Sequence, residues 1–202
     1  YSLYSNTTGS NNTANGSYSL HYNTTGSYNT ANGNVSLHSN TTGAGNVADG
    51  YNACRNNTTG SNNVYIGYNS AYKSGVTATG SGNVFMGYQT GINNTASNNL
   101  FIGYQSGYSN TSGTQLTYLG YQAGYTNTSS NGVYIGYMAG KYETGANKLF
   151  IDCLDRGNEA TARTNSLIYG VFNATPANQT LNVNGVLTAL GYKSSDGTEG
   201  MT

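Results

Sequence analysis

The sequence predicts an all-β protein, a repetitive β-solenoid or β-roll with coils of about 17 residues. Three observations lead to this fold class. A glycine recurs at a nearly constant spacing, the residues before it alternate in two sets as strand residues do, and helix-forming residues are scarce. Internal repetition at a fixed period is the signature of stacked repeat architectures.

The recurring glycine, termed the anchor glycine, ends segments such as NTANG, VYIG and VFMG. Successive anchors are 17, 17, 17, 20, 16, 17 and 16 residues apart, and a ninth unit has Asp152 in the anchor position. This period is too short for a helix pair or a propeller blade and suits one coil of two short strands and two turns. The anchors are Gly16, Gly33, Gly50, Gly67, Gly87, Gly103, Gly120 and Gly136.

Two columns of residues, three and one before each anchor, become apolar in the later coils, and we expect them to form the inner face. The aromatic residue between them would then point outwards, because successive strand residues face opposite sides. In the first three coils Asn15, Asn32 and Asp49 stand in an inner column, where amide ladders or water would supply partners. The predicted apolar core columns comprise Val64, Ile66, Val84, Met86, Leu100, Ile102, Leu119, Val133, Ile135, Leu149 and Ile151.

A single thin roll buries little surface, and an outward aromatic stripe is larger than a soluble monomer normally exposes. Packing against identical copies around an axis would cover it, so we expect an intertwined or side-by-side homotrimer. We divide the chain into a repeat shaft over 1–152 and a C-terminal transition and capping region over 153–202. Charges cluster where that region begins, and segments 166–172, 179–183 and 186–190 are predicted strands.

Composition and charge exclude several functional classes. Seven basic and seven acidic side chains give a formal net charge of +0, and charged residues make up 7% of the chain. Without a basic face, nucleic-acid binding is not expected, and no apolar run is long enough for membrane insertion as a helix. The chain begins at Tyr1 rather than Met, and we expect it to be a segment of a longer protein.

No constellation of catalytic or metal-binding residues stands out, and neither an enzyme nor a cofactor is expected. The two histidines, His21 and His38, occupy one column of the repeat, so they are repeat variants rather than a base in a unique pocket. Cys54 and Cys153 lie in coils about six apart, too distant for a disulfide within one chain.

The aromatic columns are the most informative chemistry of the repeats. Rows of exposed tyrosines can stack on sugar faces while their hydroxyls bond to sugar hydroxyls, although stacked tyrosines also stabilise a solenoid by themselves. We favour that structural role over glycan binding. The candidate glycan-contact residues are Tyr72, Tyr108 and Tyr125, and the column from Tyr51 to Tyr137 is a second candidate.

Threonine rows in the NTTG segments offer a remote alternative function. Pairs such as Thr7-Thr8 and Thr24-Thr25 would repeat every ~4.8 Å along the stack. Regular threonine rows on flat solenoids resemble those that ice-binding proteins present. Here the rows stand at corners beside glycine rather than on a flat face, which disfavours ice binding. We expect Asn and Gly in these corners to supply the positive φ that tight turns need.

Two units carry a resemblance to known proteins. The segments NTTGSNNVYIGY and YQAGYTNTSSNGVYIGYMAG resemble repeats of trimeric fibre proteins, including bacteriophage tail fibres and related bacterial surface proteins, and distantly the head β-roll of trimeric autotransporter adhesins. The resemblance implies an extracellular structural shaft that mediates attachment to a host cell surface, as part of a virion tail fibre. It implies a host surface glycan or receptor as partner, and a bacterial cell-surface adhesin or filament segment is the alternative.

Overall fold

The computed structural model describes residues 1–72, 75 and 77–185, which form an all-β solenoid of about eight turns with coils of about 17 residues. This confirms the predicted fold class, with one short strand per coil instead of two. The stacked strands are β1 Thr13–Asn15, β2 Thr30–Asn32, β3 Val47–Asp49, β4 Val64–Ile66, β5 Val84–Met86, β6 Leu100–Ile102, β7 Thr117–Leu119, β8 Gly132–Ile135 and β9 Lys148–Ile151. After them come helix α1 Glu159–Asn165, strand β10 Ile168–Val171, a 3-10 helix Pro176–Asn178 and strand β11 Thr180–Val183.

Strands β1 to β9 pair in parallel, in the register that the repeat predicts. Val84 lies opposite Val64 on one side and Leu100 on the other. The longer 20-residue spacing between Gly67 and Gly87 leaves this pairing unchanged, so the additional residues are accommodated outside the strands. Equivalent side chains therefore stand over one another, about 4.8 Å apart along the sheet.

The middle residue of each strand faces the interior, so the predicted inner face is wrong. Phe101 is fully buried, whereas Leu100 and Ile102 beside it are half-buried. Both sets of positions are apolar in the later coils, so the apolar pattern does not distinguish the two faces. The strand positions that lie inside are Ala31, Ala48, Tyr65, Phe85, Phe101, Tyr118, Tyr134 and Phe150. The residues predicted as core and found on the outer side are Val64, Ile66, Val84, Met86, Leu100, Ile102, Leu119, Val133, Ile135, Leu149 and Ile151.

Two positions of each coil share the interior volume. Where the strand supplies alanine, the residue four positions after the anchor is a larger buried side chain, as with Ala31 and Leu37 or Ala48 and Cys54. Where the strand supplies an aromatic ring, as at Phe101, the corresponding residue is a glycine, Gly107. The interior is thus filled by a leucine or cysteine from the turn or by a ring from the strand, and Ala71 stands at the glycine position of the Tyr65 coil.

The anchor glycines occupy positions that admit no side chain. All eight have positive φ, between 114° and 141°. A Cβ atom on Gly16 would lie 2.5 Å from the carbonyl oxygen of Gly33, its counterpart in the next coil. The glycines that end the NTTG segments differ from the prediction, because Gly26 and Gly43 are absent from the positive-φ residues. A Cβ atom on Gly43 would lie 2.5 Å from Oδ1 of Asn40, so close packing requires this glycine.

Two columns of buried asparagines line the interior beside the turns. In the first, Nδ2 of Asn40 donates to Oδ1 of Asn23 at 2.8 Å and to the carbonyl of Gly43 at 2.9 Å. In the second, the backbone N–H and Nδ2 of Asn46 donate to Oδ1 of Asn29 at 2.9 and 3.1 Å. These ladders supply partners for most of the buried polar groups that the turns bring inside. The columns are Asn6, Asn23, Asn40 and Asn57, and Asn12, Asn29, Asn46, Asn63, Asn83 and Asn99.

The amide ladders were predicted at other positions. Asn15, Asn32 and Asp49 are exposed on the outer side of their strands, so the ladder predicted there is wrong. The error has the same origin as the inverted strand faces. In a three-residue strand only the middle residue faces inward. The buried asparagines of the ladders come from the turns instead.

The parallel stack ends at β9, which pairs antiparallel with β10, and β10 pairs with β11. The rings of Phe150 and Tyr169 lie 4.9 Å apart across this junction. Strands β10 and β11 fall within the predicted segments 166–172 and 179–183, while the strand predicted over 186–190 lies outside the described residues. The sequence prediction missed α1, which begins after Asn158, whose side chain accepts a hydrogen bond from the Thr161 N–H as an N-cap does.

Candidate functional site

The eleven residues that were predicted as core columns form an apolar surface on the outer side of β4 to β9, here termed the outer stripe. Leu119 is 44% exposed and Met86 36%. In β1 and β2 the same positions hold threonine and asparagine, so the surface is polar at the N-terminal coils. An apolar surface repeated over six consecutive strands is of the kind that marks an interaction site.

The residues directly after six of the anchors form a second exposed feature, here termed the tyrosine row. Neighbouring rings lie 5.0 to 5.4 Å apart with planes within 19° of parallel. Each side chain is 39% to 47% exposed. Because the faces of each ring are turned towards its neighbours, the row presents ring edges and hydroxyls to solvent. The row consists of Tyr51, Tyr68, Tyr88, Tyr104, Tyr121 and Tyr137.

The three candidate glycan-contact tyrosines do not form one continuous row. Tyr108 and Tyr125 are stacked, with centroids 4.9 Å apart and planes 5° from parallel. Tyr72 lies beside the guanidinium of Arg55, which stands 5.7 Å from its ring centroid, and Ile92 occupies the column between Tyr72 and Tyr108. All three tyrosines are half-buried. Burial, and then the neighbouring Tyr108, raise the pKa of the Tyr125 hydroxyl.

The threonine rows are largely engaged in holding coils together. Oγ1 of Thr24 donates to the carbonyl of Thr41 at 2.9 Å, and Oγ1 of Thr41 donates to Thr58 in the same way. The second threonine of each NTTG segment, as at Thr25 and Thr42, is exposed. One column of exposed threonines is therefore presented to solvent, beside a column whose hydroxyls are used internally.

The two histidines stack on each other as members of one column. His21 and His38 have ring centroids 5.4 Å apart, and Tyr4 stacks on His21 at 5.2 Å. Burial lowers the pKa of His38, and the positive charge of Arg55 and the neighbouring His21 lower it further. No orienting carboxylate is bonded to either ring among the described residues, and the arrangement is that of a packed column.

The two cysteines are free, with Cys54 buried and Cys153 exposed. Burial raises the pKa of the Cys54 thiol to about 12, so it is not a thiolate at neutral pH. Within residues 1–72, 75 and 77–185, no three His, Cys, Asp or Glu side chains gather as ligands of a metal ion. No helix in this part of the chain is long and apolar enough to cross a membrane.

Charged side chains pair where the parallel stack ends. Glu143 stands, fully buried, in the column that Asn127 occupies one coil earlier. Arg163 of α1 binds both of its carboxylate oxygens, with distances of 2.8 Å from Nε and 2.6 Å from Nη2, and also binds Glu159. Arg156 binds Asp152 with two hydrogen bonds, of 2.6 and 2.8 Å. The charges that cluster at the start of the C-terminal region thus form ion pairs.

Comparison of the chain with protein-family models, with curated proteins and with solved structures found no match. The features above therefore rest on their own geometry. Sequence reasoning placed the outer stripe inside the fold, although one signal pointed the other way. Gly91, Gly107, Gly124 and Gly140 appear in the coils whose strands carry an aromatic residue, which indicates that the ring needs their space.

Proposed function

We propose that the chain is a stiff structural segment of a homotrimeric extracellular fibre, similar to a bacteriophage tail fibre, that mediates attachment to a host cell surface. One observation carries this proposal: equivalent side chains stand over one another along the whole solenoid. Chemistry that is repeated in every coil suits a shaft, whereas catalysis needs convergent groups in a single cleft. We propose no enzymatic activity and no cofactor.

Stiffness follows from the number of bonds that join each coil to the next. The strands pair through their backbones, the asparagine ladders bond along the interior, and the threonine hydroxyls bond at the corners. On the surface, Nε2 of Gln105 donates to Oε1 of Gln89 at 2.9 Å, and Nε2 of Gln122 donates to Oε1 of Gln105 at 3.0 Å. Bending the solenoid would stretch the columns on its convex side and compress those on its concave side.

The outer stripe supports association with identical copies. It is long, apolar and nearly uniform, and a soluble monomer rarely exposes such a surface. A rotation axis parallel to the solenoid would bring the stripes of three chains together, and Ile102 and Leu119 would then lie in their shared interface. Strands β1 and β2 carry polar residues at these positions, so the apolar contact would begin at about β4.

The C-terminal elements fit the capping role in this proposal. A repeat array needs a terminal unit that covers the last interior layer. Tyr169 of β10 contacts Phe150, the last ring of the interior column, and is 8% exposed. Arg163 of α1 pairs with Glu143, which ends the buried polar column at the same place. Antiparallel β10 also breaks the parallel pairing that another coil would continue.

The mass of the chain in solution tests this proposal. One chain has a mass of 21.1 kDa, so light scattering is expected to give about three times that value. The double variant Ile102→Lys/Leu119→Lys should have the single-chain mass with an unchanged circular dichroism spectrum. Thr25→Lys/Thr42→Lys places the same charges on exposed corners and should retain the larger mass. A wild-type mass of 21.1 kDa would remove the trimer.

A bacterial cell-surface adhesin is an alternative in which the same shaft belongs to a bacterial cell instead of a virion. An export signal or membrane anchor elsewhere in the full protein would favour the adhesin, and neighbouring tail-assembly genes would favour the tail fibre. In either case the proposed partner of the whole fibre is a host surface glycan or receptor.

Ice binding is a second candidate, favoured by the exposed threonine column at Thr8, Thr25, Thr42 and Thr59. A single column beside internally bonded hydroxyls is a narrow surface for binding ordered water. Thermal hysteresis at micromolar concentration tests it, with Thr25→Val/Thr42→Val as the variant. Hysteresis in the wild-type chain that the variant lacks would establish this function, and its absence would exclude it.

A further inference from the structure

The tyrosine row brings phenol rings of successive coils into contact at the surface. Five consecutive pairs have centroids 5.0 to 5.4 Å apart. The residues of each pair are 16 to 20 positions apart in the chain. Side chains with 39% to 47% exposure have room to change rotamer, which exposed residues do within nanoseconds. Adjacent rings therefore reach orientations in which their ortho carbons meet.

We propose that the tyrosine row is an oxidative cross-linking site, at which tyrosines of adjacent coils join as dityrosine. The co-reactant is hydrogen peroxide, used by a one-electron oxidant of the haem peroxidase class. Each phenol loses its hydroxyl hydrogen atom, and the two phenoxyl radicals form one carbon–carbon bond between ortho positions. Each ring then transfers its ortho proton to its oxygen. The peroxide accepts both hydrogen atoms and becomes two water molecules, so atoms and electrons balance.

The continuity of the row favours coupling over other fates of the radical. A phenoxyl radical next to an intact phenol can exchange a hydrogen atom with it, and reactants and products of that exchange are equivalent. A radical formed at Tyr51 thus has a path along the row to Tyr137. Two radicals formed on one row can come to occupy adjacent positions, where they couple.

Most other tyrosines of the described residues lack contact or access, and the exposed N-terminal cluster of Tyr1, Tyr4 and Tyr18 lies outside the row and gives peptides of its own. Tyr118 and Tyr134 are stacked at 4.6 Å but are fully buried, so an enzyme-sized oxidant does not reach them. Tyr28 is 67% exposed and has no ring contact among the described residues. The stacked pair Tyr108 and Tyr125 is half-buried and gives peptides distinct from those of the row.

Cross-links in the row would join coils covalently in a chain whose two cysteines are free. A covalent link between residues of successive coils closes a loop in the unfolded chain, as a disulfide does, and so disfavours unfolding. A solenoid exposed to an oxidising exterior would thereby gain resistance to unfolding along one edge.

The test treats the dilute, folded chain with a haem peroxidase and hydrogen peroxide, followed by protease digestion and mass spectrometry. We expect cross-linked peptides that join Tyr51 with Tyr68, Tyr88 with Tyr104, and other neighbours within one chain. The variant Tyr68→Phe/Tyr104→Phe/Tyr137→Phe keeps the stacked rings but leaves no two adjacent tyrosines in the row. It should lose at least nine-tenths of these peptides, whereas Tyr28→Phe should lose none.

The oxidised wild-type chain should also melt at a higher temperature than the untreated chain, and the triple variant should show a smaller shift. Cross-links found only between chains, as covalent dimers on a denaturing gel, would overturn the proposal. Equal yields of cross-linked peptides that contain Tyr28 and of those that join row neighbours would also overturn it, because contact between stacked rings would then not direct the coupling.

Discussion

A Cβ atom on Gly107 would lie 2.6 Å from ring carbons of Phe101, so the glycine leaves the space that the ring fills. Two coils near the N-terminus make the opposite choice, with a leucine in the glycine position and alanine in the strand, as at Leu37 and Ala31. The backbone is the same in both cases, since φ is 62° at Gly107 and 46° at Leu37. The left-handed conformation at this position therefore accepts leucine when the strand residue is small.

Because Phe101 and Gly107 share one volume, we expect their substitutions to be strongly coupled. Phe101→Ala alone should cost about 3–5 kcal/mol through the cavity that it leaves, and Gly107→Leu alone about 1–3 kcal/mol through overpacking. The double variant should lose about 1–3 kcal/mol less unfolding free energy than the sum of the two single losses. Denaturant unfolding of the four proteins measures the coupling, and strict additivity would show that the two positions do not share one volume.

The asparagine ladder predicts a large loss of stability when one buried amide is replaced by a carboxylate. Asn40→Asp removes two donated hydrogen bonds and places a carboxylate against Oδ1 of Asn23 and the carbonyl of Gly43. Leaving buried groups unpaired should lower the free energy of unfolding at neutral pH by about 3 kcal/mol or more. Asn15→Asp is the matched control, since Asn15 is exposed and lies opposite the neutral Asn32, and should change it by less than about 0.5 kcal/mol. Similar unfolding midpoints for the two variants would contradict the ladder.

The pair of Glu143 and Arg163 predicts sensitivity to acid. Burial raises the pKa of Glu143, but hydrogen bonds from the Arg163 guanidinium and the Gly145 N–H together outweigh it, and the pKa is lowered. The folded chain thus holds this proton more weakly than the unfolded chain. The pair contributes fully above the ordinary glutamate pKa of about 4.3, and its contribution is lost as the pH falls through lower values.

Glu143→Gln should therefore reduce the free energy of unfolding by about 2–4 kcal/mol at neutral pH, and this difference from wild type should shrink below about pH 4. Unfolding curves at several pH values measure it. Asp152 also has a lowered pKa, because hydrogen bonds from Arg156 and the Cys153 N–H together outweigh its burial. That contribution is present in both proteins and cancels in the difference. A difference that is constant between pH 7 and pH 3 would contradict the pairing.

Tyr125 is expected to stabilise the solenoid rather than to bind sugar. Tyr125→Ala removes its stacking on Tyr108 and should lower the free energy of unfolding by about 1–2 kcal/mol. Binding to a glycan array should be the same for the variant and the wild-type chain. Loss of a glycan signal without loss of stability would instead place a binding site at this column.

Much of the fold could be predicted from the repeat alone. The anchor spacing aligned Val64 with Val84 and Val84 with Leu100, because a chain that repeats its turn residues repeats its path, and parallel pairing then sets equivalent residues opposite each other. The anchor glycines were identified for the same reason, since a recurring glycine marks where the backbone of one coil approaches that of the next.

The tertiary structure decided which strand face is inside, where the buried amides lie, and how the charged residues pair. Side chains on both faces of β4 to β9 are apolar, so hydrophobicity is balanced between them. The choice follows space: Gly107 makes room for the ring of Phe101 inside, and Leu100 and Ile102 remain half-buried on the outer side. Such room is created by turn residues distant from the strand centre, and a pattern read along one strand does not contain it.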